Sequence, residues 1–329
     1  MIHRLHAISV AAALIAATPC ALGQELNGQV EAALANHKLA GAKVAVSVVD
    51  LETGRELVDI HDEDPLIPAS NMKLLTSGAA MLVLGRDFVF KTELVLDGTR
   101  LILRGSGDPA LGDPFILERS PGKVTVDGLM SALAGAVKTT SGGSVSEIIV
   151  DDRVFDREWV HPTWPVAQLD KWYCAQVSGL NFHTNVISVF PAPSAQGLTR
   201  PPVYTLEPSV PWLEIENKAR TVAGSKNSVW LGREPNSNRL TMFGEVAIPT
   251  RIPVEITLHE VPTFTGRILA ATLSQEGVSI GGVPGLSSPG SRLTRDQATN
   301  AFAKIRLAAA GEVLEGRTIA VVTTSLEDV

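Results

Sequence analysis

Residues 68–85 read PASNMKLLTSGAAMLVLG: a proline, a serine, a lysine three places on, then an apolar run closed by Gly85. The pattern predicts a helix over Ser70–Leu84 that ends at Gly85, a residue free to adopt the left-handed conformation. A spacing of three sets Lys73 on the same helical face as Ser70, where the first turn also offers N–H groups and partial positive charge. Ser70 then has two roles open to it. As a nucleophile its hydroxyl needs a base, and Lys73 serves only if burial or neighbouring cations hold it partly neutral. Met72, Leu74 and Leu75 predict a buried setting of that kind. As a cap, Ser70 accepts a backbone N–H and Lys73 is a solvated first-turn residue. A second Ser-x-x-Lys, SPGK at Ser120–Lys123, contains Pro121 and Gly122, so no helix holds its lysine against its serine.

Upstream, LNGQVEAALANHKL places Leu26, Val30, Ala33 and Leu34 at helical spacing. AKVAVSVVDLETGRELVDI alternates Val44, Val46 and Val48, turns at Thr53-Gly54 and resumes with Leu57, Val58 and Ile60, which predicts a β-hairpin. Helix, hairpin and helix together open an α+β domain. From Asp87 to about Glu260 the short runs KTELVLDGTRLILRG, SEIIVDD, NVISVF, VWLG and RLTMFGEV are separated by Gly, Pro, Asn and Asp clusters, a mostly β texture. TVDGLMSALAGAVKT is the one clear helix within it. Helical character returns in VPTFTGRILAATLSQEGV, with Thr263 as the expected cap and Phe264, Ile268 and Ala271 on one face. VPGLSSPGSRLT reads as a loop, EGRTIAVVTT as a strand, and SLEDV as the opening turn of a further helix capped by Ser325.

The chain has 329 residues, 45% of them hydrophobic, and a formal net charge of −7. Its length suits two or three domains, and its charge argues against a nucleic-acid binder. MIHRLHAISVAAALIAATPCALGQ has Arg4 near the start, an apolar stretch from Ile8 to Ala17 and a small-residue exit, the pattern of a secretory signal cleaved after Gly23. No later apolar run is long enough to span a bilayer. The two cysteines are Cys20, inside that signal, and Cys174, so the mature chain has a single thiol and rests on its own core. His37, His61, His161, His183 and His259 are scattered without metal-site spacing. GSGDPA at 105–110 follows neither dinucleotide nor Walker spacing and reads as a tight turn. Asp151-Asp152 reads as a strand end, and the aromatics of WVHPTWP and KWY as packing residues.

PASNMKLLTSGAAMLVLG resembles the active-site serine segment of the D-alanyl-D-alanine carboxypeptidase/endopeptidase family, the class C low-molecular-mass penicillin-binding proteins. LRGSGDPAL, IIVDDRVFDREWVHPTWP, SGLNFHTNVISV and FTGRILAATLSQEGVSIGG are similar to later blocks of that family, in the same order. The resemblance implies an α+β serine β-lactamase/penicillin-binding-protein-like transpeptidase domain, split by a large β-rich insertion after the serine helix. Its expected divisions are a signal peptide over 1–23, the penicillin-binding domain over 24–86 and 262–329, and the inserted domain over 87–261. It implies that Ser70 attacks the carbonyl between two D-alanines of a peptidoglycan stem peptide, with Lys73 as base and the Ser70 N–H in the oxyanion hole. β-Lactams acylate the same serine. Asp151, Asp152 and Phe155 are the implied stem-peptide contacts, no metal or cofactor is needed, and the location is the periplasm.

The same family needs a Ser-x-Asn motif and a Lys-Thr-Gly strand after the insertion. SKN at 225–227 and SNR at 237–239 lie within the expected insertion, and KTT at 138–140 ends a helix. The sequence is therefore expected to be an N-terminal fragment, inactive and poorly folded alone. A non-catalytic peptidoglycan-binding homologue and a serine β-lactamase are the competing readings; the long insertion argues against the latter.

Overall fold

Consecutive apolar residues of Val89–Asp97 and Arg100–Arg104, Leu94–Leu96 and Leu101–Leu103, supply both faces at the centre of the larger body of the protein. The computed structural model describes residues 25–37, 41–286 and 293–325, and it divides into one unit up to Val83 and a second from Leu84 onward. The expected signal over 1–23, with Cys20, lies outside the described residues.

The first unit holds helix α1 (residues 25–36), strands β1 (Val46–Val49) and β2 (Glu56–Ile60), and helix α2 (Met72–Leu84). The predicted hairpin forms, with Val46 opposite Ile60 and Val48 opposite Val58. Its turn is set by Asp50, whose Oδ1 accepts the N–H groups of Glu52 and Thr53 at 2.9 and 3.1 Å. Asn27 Oδ1 on α1 accepts the Asp59 N–H at 3.2 Å and ties the helix to the hairpin. α2 is followed by Gly85 at φ +84°, the predicted left-handed stop.

In the second unit β3 (Val89–Asp97) and β4 (Arg100–Arg104) form a hairpin, followed by α3 (Pro114–Arg119) and α4 (Val126–Ser141). Asp113 and Thr125 cap those two helices by accepting the N–H groups of Phe115 and Gly128. Next come β5 (Ser144–Val145), β6 (Glu147–Asp151), β7 (Val186–Ala192), β8 (Val203–Glu207), β9 (Ile215–Asn217) and β10 (Arg220–Thr221). The β-rich stretch ends with β11 (Trp230–Arg233), β12 (Leu240–Phe243), β13 (Glu245–Val246) and β14 (Val254–Thr257). Then follow α5 (Val261–Gln275), β15 (Ser279–Ile280), α6 (Arg295–Phe302), β16 (Ile305–Leu307) and β17 (Arg317–Ser325).

The largest sheet has five strands in the order β16-β6-β4-β3-β17. β16, β6 and β4 run parallel, while β4, β3 and β17 pair antiparallel. On one face Leu94, Leu101, Leu103, Ile148 and Val150 share a core with Met130, Ala134 and Val137 of α4 and with Phe264, Ile268 and Leu269 of α5. On the other, Val95, Ile102 and Ile149 meet Ala308 and Leu314. Smaller sheets order as β14-β7-β8 and β11-β12-β9. β16 and β17 come from beyond residue 261 and β3, β4 and β6 from before it, so one sheet is built from both sides of that expected boundary.

Two local expectations are corrected. α5 begins at Val261 rather than behind a Thr263 cap, because Glu260 turns at φ +52° and Pro262 suits the first helical turn. α6 was not expected in the sequence, yet Thr294 and Gln297 form its reciprocal capping box. Ser325 is the last residue of β17, opposite Val89, and the helical turn expected after it lies outside the described residues.

Three arginines fasten the segment between β16 and β17. Arg104 donates to Leu314 O at 2.9 Å, Arg153 to Ala309 O and Glu312 O at 3.0 and 2.7 Å, and Arg157 to Ala308 O at 2.7 Å. Glu312 is held in turn by Arg306 and the Ala309 N–H, which bring its pKa down to about 2. Burial pushes the Asp151 carboxyl up, but the hydrogen bonds and charge of Arg153, then Arg104, outweigh it and leave it below its ordinary value. Both carboxyls have folded-state pKa values below their unfolded ones. Their stabilisation is therefore complete above the unfolded pKa of roughly 4 and is lost as pH falls through the folded values. Thermal melts are expected to weaken as pH falls from about 4.5 to about 2, and Glu312→Gln to flatten that slope. An unchanged slope in the variant would remove Glu312 from this account.

Candidate active site

Pro68 enters a single 3₁₀ turn, Ala69–Asn71, which runs directly into α2. Ala69 sits at φ +45°, in the left-handed region where a residue with a Cβ is strained, immediately before Ser70. Strain of this kind persists only where surrounding structure enforces it, and it concentrates at functional positions. Ser70 Oγ and Lys73 Nζ lie 3.1 Å apart, one turn along the same face. That contact joins a hydroxyl and an amine directly, with no third group between them.

The buried setting expected around Lys73 is not found. Met72, Leu74 and Leu75 are 48%, 76% and 68% exposed, and no residue of α2 is buried. The apolar run that predicts a core helix therefore forms a helix whose apolar side chains face outward, an exposed patch of the kind that marks interaction surfaces.

The remaining sequence candidates lie in the second unit. Asp151 ends β6, as its sequence position predicts, and its carboxylate takes Arg153 at 2.7 and 3.0 Å and Arg104 at 3.3 Å. Asp152 is fully buried and bound in bidentate fashion by Arg157. Both carboxylates are thus committed to arginines. Phe155 lies over Gly107 and remains about half exposed, at 47%.

Sequence reasoning missed a buried polar network behind the GSGDPA turn. Asp108 Oδ1 accepts the Ala110 N–H, and its Oδ2 accepts the Thr324 hydroxyl at 2.6 Å. Asn181 donates to Asp108 O, and its Oδ1 accepts from the Ser178 N–H and from Asn185. Asn185 also donates to Gln176 O at 2.7 Å. The residues were visible in SGLNFHTN, but their partners come from 73 and 216 positions away. His183 is buried beside this network, Nδ1 against Val186 O at 3.1 Å and Nε2 facing Glu207 Oε1 at 3.5 Å; that contact holds Glu207 below its ordinary pKa.

Among the described residues, the one grouping with metal-ligand proximity is Glu56, Asp59 and Asp62, all exposed. Desolvation and then the charge of Asp59 raise the Glu56 pKa, while the hydrogen bond to Asp62 and its charge raise that of Asp59. None of the scattered histidines joins them.

A family model, the D-Ala-D-Ala carboxypeptidase 3 (S13) family, matches residues 26–289. The chain belongs to this family. Among its relatives, a D-alanyl-D-alanine carboxypeptidase of Actinomadura sp. is 32% identical over 278 residues, covering 80% of this S13 chain and 49% of the relative. A carboxypeptidase of Mycobacterium tuberculosis is 32% identical over 134 residues, covering 39% of this chain and 28% of its own length. The S13 chain thus spans about half or less of these curated relatives. Penicillin binding protein 4 of Haemophilus influenzae matches in fold with a TM-score of 0.57 and 16% identity, covering 86% of this chain and 57% of that one. The same protein in complex with a β-lactam matches with a TM-score of 0.51. The likeness supports the penicillin-binding-protein-like fold implied by the resemblance in sequence.

Proposed function

We propose that the protein is a serine-type D-alanyl-D-alanine peptidase in which Ser70 is the acyl-accepting nucleophile and Lys73 its general base. The observation that carries this is the 3.1 Å contact between Ser70 Oγ and Lys73 Nζ across one helical turn. Ser70 Oγ attacks the carbonyl between two D-alanines of a peptidoglycan stem peptide and its proton passes to Lys73 Nζ. The C–N bond then breaks, the amine of the departing D-alanine takes a proton, and water hydrolyses the acyl-serine. A β-lactam acylates Ser70 by the same attack, its ring amide opening in place of the peptide bond.

The chain supplies the serine and the lysine but only lookalikes of the Ser-x-Asn and Lys-Thr-Gly motifs. The 329-residue chain is therefore expected to resist labelling by a fluorescent penicillin. A hybrid that supplies the unmatched part of the Actinomadura carboxypeptidase is expected to carry one label per chain, on the peptide containing Ser70. A label on any other residue, or one retained in Ser70→Ala, would refute the assignment.

The site requires exposure to peptidoglycan, and the first 23 residues are read as the export signal. Expression in a bacterial host is expected to yield periplasmic protein beginning at Gln24. Full-length protein found only in the cytoplasm would contradict this.

A further inference from the structure

Outside the Ser70 site, a cleft of about 420 Å³ in the second unit holds a positive charge that the proposed reaction does not use. Arg233 and His259 line it, together with the apolar Val160, Val166 and Leu169. Arg233 is pinned in place. Its Nε–H reaches Thr257 Oγ1 at 3.3 Å, its Nη1 reaches Glu234 O and Ser237 O at 3.4 and 3.1 Å, and its Nη2 reaches Leu169 O at 3.0 Å. All four acceptors are uncharged, and of the five guanidinium hydrogens one on Nη2 is left over. Burial works against the Arg233 charge, and the field of Asp170 offsets part of that cost. Asp170 is itself committed elsewhere. Lys171 Nζ lies 3.2 Å from each of its carboxylate oxygens, and Oδ1 is buried. Among the described residues, no carboxylate closes an ion pair with Arg233.

With Asp170 and Lys171 neutral as a pair, the cleft carries one fixed cation beside an apolar lining. A cationic ligand is repelled there, and an uncharged one leaves Arg233 desolvated without a counter-charge. A small anion supplies that charge. His259 adds a hydrogen-bond donor. Gln176 Oε1 accepts the Glu260 N–H at 2.8 Å, so Gln176 Nε2 donates to His259 Nδ1 and the imidazole hydrogen sits on Nε2. Burial, which pushes the imidazole pKa down, keeps it in this neutral form. A mostly apolar lining with one cation and one further donor suits an anion that has an apolar body of its own. We propose that this cleft binds a small aliphatic monocarboxylate. The carboxylate takes the remaining Nη2–H of Arg233 in a charge-assisted hydrogen bond, the His259 Nε2–H is its second donor, and the aliphatic body lies on Val160, Val166 and Leu169.

Ligand-observed NMR titrations of the full chain with isobutyrate, acetate, isobutyramide and isobutylamine at low ionic strength test this. Isobutyrate is expected to bind at least about tenfold more tightly than the uncharged amide or the amine. It is also expected to bind more tightly than acetate, which carries the charge without the body. Ala167→Phe, which fills the lining and leaves Arg233 in place, is expected to weaken isobutyrate by about tenfold. Two charge variants are expected to act with opposite signs. Asp170→Asn removes the negative field on Arg233 and tightens binding, while Lys171→Gln leaves Asp170 uncompensated and weakens it, each by about threefold. Melting curves of all three variants accompany the titrations. Isobutyrate binding no more tightly than isobutyramide, unchanged affinity in folded Ala167→Phe, or weaker binding in folded Asp170→Asn would each overturn the proposal.

Discussion

Alanine in place of Lys73 is expected to slow penicillin acylation of Ser70 by roughly 10²–10⁴-fold in the hybrid described above, the range a positioned general base contributes. The decisive companion is Lys73→Arg. A guanidinium keeps positive charge and length but does not release its proton in a protein. If Lys73 acts by accepting the Ser70 proton, arginine fails nearly as badly as alanine. If it serves only to place charge near the developing oxyanion, arginine retains most of the rate. Stopped labelling reactions, quantified at several times, separate the two, and wild-type rates in Lys73→Arg would end the general-base assignment. The argument rests on an unmediated contact of 3.1 Å on a helix whose side chains are otherwise exposed.

Gly179→Ala is expected to destabilise the second unit by more than about 4 kcal/mol, a size reached by few single substitutions. A Cβ at Gly179 would stand 2.0 Å from the carbonyl oxygen of Asp152, and one at Gly105 would stand 2.1 Å from that of Gly179. Both obstacles are backbone, so no rotamer change relieves them. The same crossing is bonded, with Gly105 N–H donating to Asp151 O at 3.0 Å and Gly107 N–H to Gly179 O at 2.8 Å. Three segments distant in sequence therefore meet where only hydrogen fits. Gly135, inside α4 with open space where its Cβ would go, is the control; alanine there is expected to be neutral or stabilising by up to roughly 1 kcal/mol. Urea denaturation measures both, and a Gly179→Ala midpoint close to that of the parent would show that the crossing can open cheaply.

The sequence was most legible where one local period decides the structure. KTELVLDGTRLILRG holds two short apolar runs about a Gly turn and becomes β3 and β4, and TVDGLMSALAGAVKT carries its own cap and becomes α4. The Ser70–Lys73 pair was legible for the same reason, since a helical turn alone brings the two together. α6 escaped because its core contribution is only Ala298 and Ala301, too small to mark a face, although Thr294 and Gln297 announced its start. Strand order escaped because β17 pairs with β3 and β16 with β6 across most of the chain, and pairing at such range has no local signature. The exposed face of α2 ran against its composition: periodicity reports which side chains share a face, not what covers it. Asp108 reads as part of the GSGDPA turn because its partner Thr324 lies 216 positions away.

The pairing of β3 with β17 bears on how the protein is made. β3 and β4 emerge from the ribosome as a hairpin, but the strand that covers the outer edge of β3 begins only at Arg317. While the intervening residues are translated, that edge presents unpaired N–H and C=O groups to any other extended chain. Lys91 and Glu93, charged residues within β3, make intermolecular pairing there less favourable during that interval. Nascent chains stalled shortly before residue 317 are thus expected to be the aggregation-prone species of this protein, and the released 329-residue chain, with β17 on that edge, to be protected.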